Sequence, residues 1–241
     1  MPTAEVVSSE VARWFQNPTV FVRNSDLPSG CPVPAEWKEL LGLSGSKLHD
    51  GLSHLWHNVN DVLPEAATFV AECVTDVSIV RDEGDYSLLY AYQNSAAKRR
   101  YYVGWLPNNG QPDAKIAPCW NLFPSGLKQF LVNVHDGWMD LASYALGPLP
   151  TRMMSLLSEP EWDLAEGPEV ALGWQWNNIL TTLANGAGDY LCLDLGNCLS
   201  SNEAKCHVHL HTQPLQPERQ YDFLSVLNAW VRIGVENAVP R

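Results

Sequence analysis

Positive charge is what this chain has least of: 15 Lys and Arg stand against 27 Asp and Glu, a formal net charge of −12. Nucleic acids and anionic membrane surfaces are bound by basic side chains that displace counterions, so the balance argues against both and favours a basic partner. Lys98-Arg99-Arg100 is the one basic run; it lies between two apolar segments and reads as a solvated loop or strand end, not as a phosphate site. No apolar stretch approaches the roughly 20 residues needed to span a bilayer. The opening MPTAEVVSSEVARWF carries acidic residues and lacks the basic-then-apolar layout of a signal peptide, so a cytoplasmic protein is expected. Cysteines at 31, 73, 119, 192, 198 and 206 follow no C-x-x-C spacing, which predicts free thiols. A G-x-S-x-G elbow and a Walker-type phosphate loop are also missing, and the glycines of GAGDY precede a strand, where they serve a turn. Nothing calls for a cofactor.

Apolar material is ample. Hydrophobic residues make up 46% of the 241, and tryptophans at 14, 37, 56, 105, 120, 138, 162, 174, 176 and 230 spread along nearly the whole length. Both halves are therefore expected to fold around a proper core.

Helical spacing is clear from Leu52 through Leu55, Trp56, Val59, Val62 and Leu63, with Asp50 as candidate cap and Pro64 as stop. Ala66, Phe69, Val70, Cys73, Val74 and Val77 extend the pattern into a helix pair over 51–77, preceded by a short helix in VPAEWKELLGL started by Pro34. DYSLLYAYQN and RRYYVGWLP predict a hairpin in which sheet begins. The Pro-, Gly- and Asn-rich stretch 106–126 marks an internal boundary between an N-terminal extension, 1–110, and a domain over 111–241. A helix follows at Leu127, Phe130, Leu131 and Val134, with Ser125 as candidate cap, then a short helical piece within 151–165 interrupted by Pro160. NNILTTLANGAGDYLCLDLGN predicts two strands about a Gly-rich turn, KCHVHLH a third, and QPERQYDFLSVLNAWVRIG a closing amphipathic helix over one face of the sheet.

Four of these segments, in this order, resemble the SUKH superfamily: PSGLKQFLVNVHDGW at 124–138, ANGAGDYLCLDLGN at 184–197, CHVHLHTQ at 206–213 and YDFLSVLNAWV at 221–231. The corner reads HDGW where the family commonly shows Asn-Gly, and the first hundred or so residues have no counterpart in the minimal family domain. The resemblance implies an α+β fold, a mixed β-sheet flanked by helices, carrying here a largely helical N-terminal extension. It also implies a bacterial immunity protein that binds a cognate polymorphic or secretion-system-delivered toxin, not an enzyme. Fungal relatives act as regulators of cell-wall synthesis and signalling, so a regulatory protein-binding scaffold is a further reading.

Two groups of residues invite chemistry. In KCHVHLH, strand alternation puts His207, His209 and His211 on one side and Cys206, Val208 and Leu210 on the core side; in DYLCLDL it turns Tyr190, Cys192 and Asp194 away from Leu191, Leu193 and Leu195. Histidines sharing a face with Cys192 and Asp194 would be competent for zinc, the basis of an alternative metal-dependent enzyme; the simpler expectation is an outward polar face. The second group is acidic and aromatic: Glu159, Glu161, Asp163, Glu166 and Glu169 interleave with Trp162, Trp174 and Trp176. With Asp189, it forms a candidate surface for docking a basic toxin, tryptophans anchoring and carboxylates steering. His54, His57 and Asp61 read as a solvated helix face, and His49 and His135 as helix-edge residues.

Overall fold

A computed structural model describes residues 2–159, 175–214 and 218–240, with backbone alone at 219–220. Helices α1 (Ala4–Val11), α2 (Ala35–Leu40), α3 (Gly45–Trp56) and α4 (Pro64–Glu72) accompany a sheet of β1 (Thr19–Phe21), β2 (Val74–Asp82), β3 (Asp85–Gln93), β4 (Arg99–Trp105) and β5 (Trp138–Asp140), in that spatial order. Helix α5 (Ser125–Asn133) lies between β4 and β5 in the chain. A second sheet orders β6 (Ile179–Ala184), β7 (Tyr190–Cys198), β8 (Ala204–His209) and β9 (Glu218–Tyr221), and α6 (Phe223–Val235) closes the chain. The α+β class is as expected, but the described sheets are two and antiparallel throughout, where the resemblance implied one mixed sheet.

α3 ends at Trp56, ahead of the predicted stop, and a 3₁₀ turn over His57–Val59 follows; Pro64 starts α4, because its missing N–H costs nothing at a first helical position. The predicted helix over 66–77 stops at Cys73, where β2 begins; Val74, Val77, Ile79 and Val80 are buried, and β-branched residues pack well on a pleated surface. Sheet thus starts before the predicted hairpin, with β1 and β2. Helix α3 starts ahead of the predicted Asp50 cap, at Gly45 after Ser44. The strand β9 occupies the beginning of the segment predicted as closing helix, and Asp222 then caps α6 by accepting from the Ser225 amide at 2.8 Å.

The predicted boundary near residue 110 is bridged by pairing and packing. β5 pairs with β4 (Tyr102 opposite Asp140), and Asn228 of α6 donates to the Val62 carbonyl at 2.9 Å. Residues 145–149 thread between the two sheets: Pro148 accepts from the Trp138 amide at 2.8 Å on one side, and the Leu146 amide reaches the Ala184 carbonyl at 2.8 Å on the other. One hydrophobic core includes Trp37, Trp56, Leu88, Phe130, Trp138, Leu191 and Val231.

At the centre of that core lies His135, fully buried. Its Nδ1 sits 3.1 Å from the Trp105 carbonyl, which can only accept, so Nδ1 carries the proton and Nε2 accepts from Tyr90 Oη at 2.5 Å. Tyr90 Oη in turn accepts from Trp56 Nε1 at 3.2 Å. Trp56 Nε1, Tyr90 Oη and both His135 nitrogens are thus all hydrogen-bonded, and burial pushes the imidazole down to about 3, keeping it neutral.

Candidate functional site

The four-stranded sheet has two covered faces. Leu180, Leu183, Leu191, Leu193, Cys206 and Val208 belong to the main core, while Cys192 and Ile179 on the opposite face pack with Leu157 and Trp176 in a small second core. Cys192 stands opposite His207 and Tyr190 opposite His209 across the β7–β8 ladder, so the expected sharing of a face is realised. The expected outward exposure is not: His207 is 4% exposed and His209 0%. Trp176 meets the His209 ring edge-on at 5.7 Å, covering the face that alternation alone had assigned to solvent.

Within this face, His207 Nε2 lies 3.3 Å from Asp194 Oδ2. The carboxylate also accepts from the Gly196 amide at 3.0 Å and from Asn197 Nδ2 at 2.8 Å. Cys192, His207 and Asp194 therefore have the residue types of a thiol nucleophile, base and orienter. The thiol does not behave as one: burial raises Cys192 well above the ordinary thiol value, and a protonated, enclosed sulfur is a poor nucleophile. Burial likewise lowers His209, opposed by the charge of Asp189. Cys192 is a packing element of the second core, and His207 and Asp194 are joined within the sheet.

His211 leaves the ladder. Strand β8 ends at His209, and His211 lies exposed in the following turn, its Nδ1 2.7 Å and its amide 3.0 Å from Asp189 Oδ1. The three histidines consequently do not line one strand face, and among the described residues no group of three His, Cys, Asp or Glu is placed to hold a metal ion. Asp189 is clasped from within its own turn as well, by Asn185 Nδ2 at 2.7 Å, and these hydrogen bonds hold its carboxyl below the usual range despite partial burial.

Of the predicted acidic and aromatic surface, Glu161, Trp162, Asp163, Glu166, Glu169 and Trp174 lie outside the described residues. Glu159 is exposed and accepts from the Leu156 amide at 3.1 Å. Trp176 is a correction: it is 3% exposed, anchoring the second core instead of offering a contact to a partner. His54, His57 and Asp61 are solvated as read, whereas His135 is the core hub and not a helix-edge residue. Its sole sequence signal was the neighbouring Asp136-Gly137 corner, which says that the chain turns there but not what the imidazole meets.

A groove of about 460 Å³ opens where the start of α5, the β7–β8 turn and the β9–α6 junction converge. Its walls are mainly apolar, including Pro124, Leu199 and Leu224, and its charged residues are Glu203, Asp222 and Lys205. Leu199, 49% exposed, and Tyr221, 41% exposed, stand at its sides. Sequence reasoning missed it because its wall includes β9, which was read as part of a helix.

Comparison with known protein-family models, curated proteins and solved structures gives no match to this chain.

Proposed function

We propose that the protein acts by stoichiometric binding of a basic protein partner, as a bacterial immunity protein of the SUKH type that neutralises a cognate toxin in the cytoplasm. Charge carries the reading: between Arg152 and Lys205 every charged residue is Asp or Glu, a stretch that includes β6, β7 and the groove residues Leu199 and Glu203. An uninterrupted acidic stretch steers a basic partner into contact, and exposed apolar side chains beside it supply the desolvated anchors that steering alone lacks. The reading rests further on the family resemblance drawn from the sequence, whose segments fall here on the β6–β7 hairpin, on β8 and, after β9, on α6. No described helix is long and apolar enough to cross a membrane, which fits a partner met away from the bilayer.

The test is co-expression with the toxin encoded beside the gene. Protection of the cell and a 1:1 complex on size-exclusion chromatography are the expected results, with Leu199→Lys and Tyr221→Lys weakening the complex. Absence of both protection and complex would overturn the immunity reading. Stable partners recovered from cells lacking any toxin gene would instead favour the regulatory scaffold. Stoichiometric zinc lost on His→Ala changes at 207, 209 and 211 would restore the metal-enzyme alternative.

A further inference from the structure

The basic run at 98–100 acquires in the fold a setting that the sequence does not reveal. Arg99 opens β4 with its side chain 24% exposed, paired with Asp76 and with Glu10, the latter at 3.3 Å from Nε. Arg99 Nε also donates to Tyr101 Oη at 2.7 Å and Nη2 donates to Asp76 Oδ1, so its partners fix the guanidinium. Arg13, just beyond α1 and exposed, lies 3.8 Å over the Trp14 ring, a cation–π contact that restrains a second guanidinium. Lys98, in the β3–β4 turn, completes the cationic lining of a cleft of about 300 Å³, whereas the next residue along β4, Arg100, stands opposite Tyr92 and turns its side chain to the other face of the sheet.

Three cationic side chains, Arg13, Lys98 and Arg99, thus gather at one cleft in a molecule whose overall charge is −12. Glu10 is the one carboxylate in the lining, and Arg99 already holds it. Among the described residues, no carboxylate comes within 4.0 Å of Arg13, Lys98 or Arg100. Asp76 and Glu10 compensate Arg99 but leave Arg13 and Lys98 uncompensated, so an anion entering the cleft gains attraction that the fold does not already satisfy. Ligand pockets begin at about 300 Å³, which suits a small molecule and not a nucleic-acid strand.

We propose that this cleft binds a small polyanion carrying two or more phosphate or carboxylate groups. Arg13 and Arg99 are held in place before the ligand arrives, so their planar donors can engage oxygens with little further loss of side-chain freedom. Lys98 adds a mobile point charge, and Trp14, Leu141 and Ala142 form the apolar wall. The assignment is independent of the immunity reading, because it concerns a different face and a different class of ligand.

Isothermal titration of the full chain at low ionic strength with pyrophosphate, and separately with citrate, tests it. One saturable site is expected for at least one anion, weakening as salt is added. Arg13→Glu combined with Lys98→Glu should weaken binding at least about tenfold, or about 1.4 kcal/mol. Lys47→Glu with Arg232→Glu, both exposed and outside the cleft, changes the net charge equally and should leave affinity within about twofold. Should the cleft reversal unfold the chain, as judged by near-ultraviolet dichroism, Arg13→Gln with Lys98→Gln takes its place. Pyrophosphate binding alone assigns phosphates, citrate alone carboxylates, and both together recognition by charge. The proposal is overturned if neither anion saturates, if the cleft variant binds like the parent, or if the control variant loses as much as the cleft variant.

Discussion

His135 shows how much a single side chain can determine when it is buried with both ring nitrogens engaged. Folding lowers its affinity for protons to about 3, against 6.5 for a free imidazole. Between those values the unfolded chain binds a proton that the folded one refuses, so this contribution to stability is complete above about pH 6.5 and declines as pH falls. One such group changes stability by about 1.4 kcal/mol per pH unit in that window. Urea unfolding of the parent and of His135→Gln across pH 4 to 7 should therefore differ in slope by about one proton; coincident slopes would refute the assignment. Gly104 is the counterpart on β4. A Cβ there would lie 2.5 Å from His135 Nδ1 and 2.6 Å from Cε1, inside any tolerable contact. Gly104→Ala is expected to cost about 1–3 kcal/mol by displacing the ring, read as a lower urea midpoint at neutral pH.

α5 and α6 were legible because each buries a stripe that its own apolar spacing announces, and β3, β4, β6, β7 and β8 because their residue types and flanking turns mark them as strands. What covers each strand face was not legible: β8 alternates histidines with Cys206 and Val208, and that pattern cannot reveal that Trp176 and Leu157 return to cover the histidine face. β2 was lost for a related reason, since Val74 and Val77 fit helical spacing as an extension of α4 until strand pairing with β3 wins. The β6–β7 turn is the element where local chemistry can be tested alone. Gly188 holds a φ of +98°, an added Cβ would crowd the His211 ring at 3.1 Å, and Asp189 ties the turn to His211. Exposed ion pairs are worth about 0.2–1 kcal/mol, so Asp189→Asn should barely move the global midpoint. Its effect should appear locally, as faster hydrogen exchange at the His211 amide, which donates to Asp189 Oδ1 at 3.0 Å. Unchanged exchange at that amide would mean that the turn is held by Asn185 without the carboxylate.

At the scale of the molecule, the two halves that composition separated near residue 110 complete each other's sheet and core. β5 comes from the C-terminal half yet forms the edge of the N-terminal sheet, and residues 145–149 hydrogen-bond to both sheets. α6 buries Leu227 and Val231 in a core shared with α4 and takes the Val62 carbonyl through Asn228. Neither half can lose the other without exposing apolar surface at about 25 cal/mol per Å² and leaving strand edges unpaired. Thermal unfolding of the whole chain should accordingly be one transition, coincident by tryptophan fluorescence and far-ultraviolet dichroism. A fragment of residues 111–241 removes β4 from beneath β5, so Trp138 loses its stacking on Tyr102, whose ring lies 4.0 Å away. That fragment should lack near-ultraviolet dichroism from an ordered Trp138 and should associate through its exposed β5 and α6 surfaces. A monomeric fragment that melts cooperatively would instead establish the C-terminal half as an independent unit, with the N-terminal extension an addition to it.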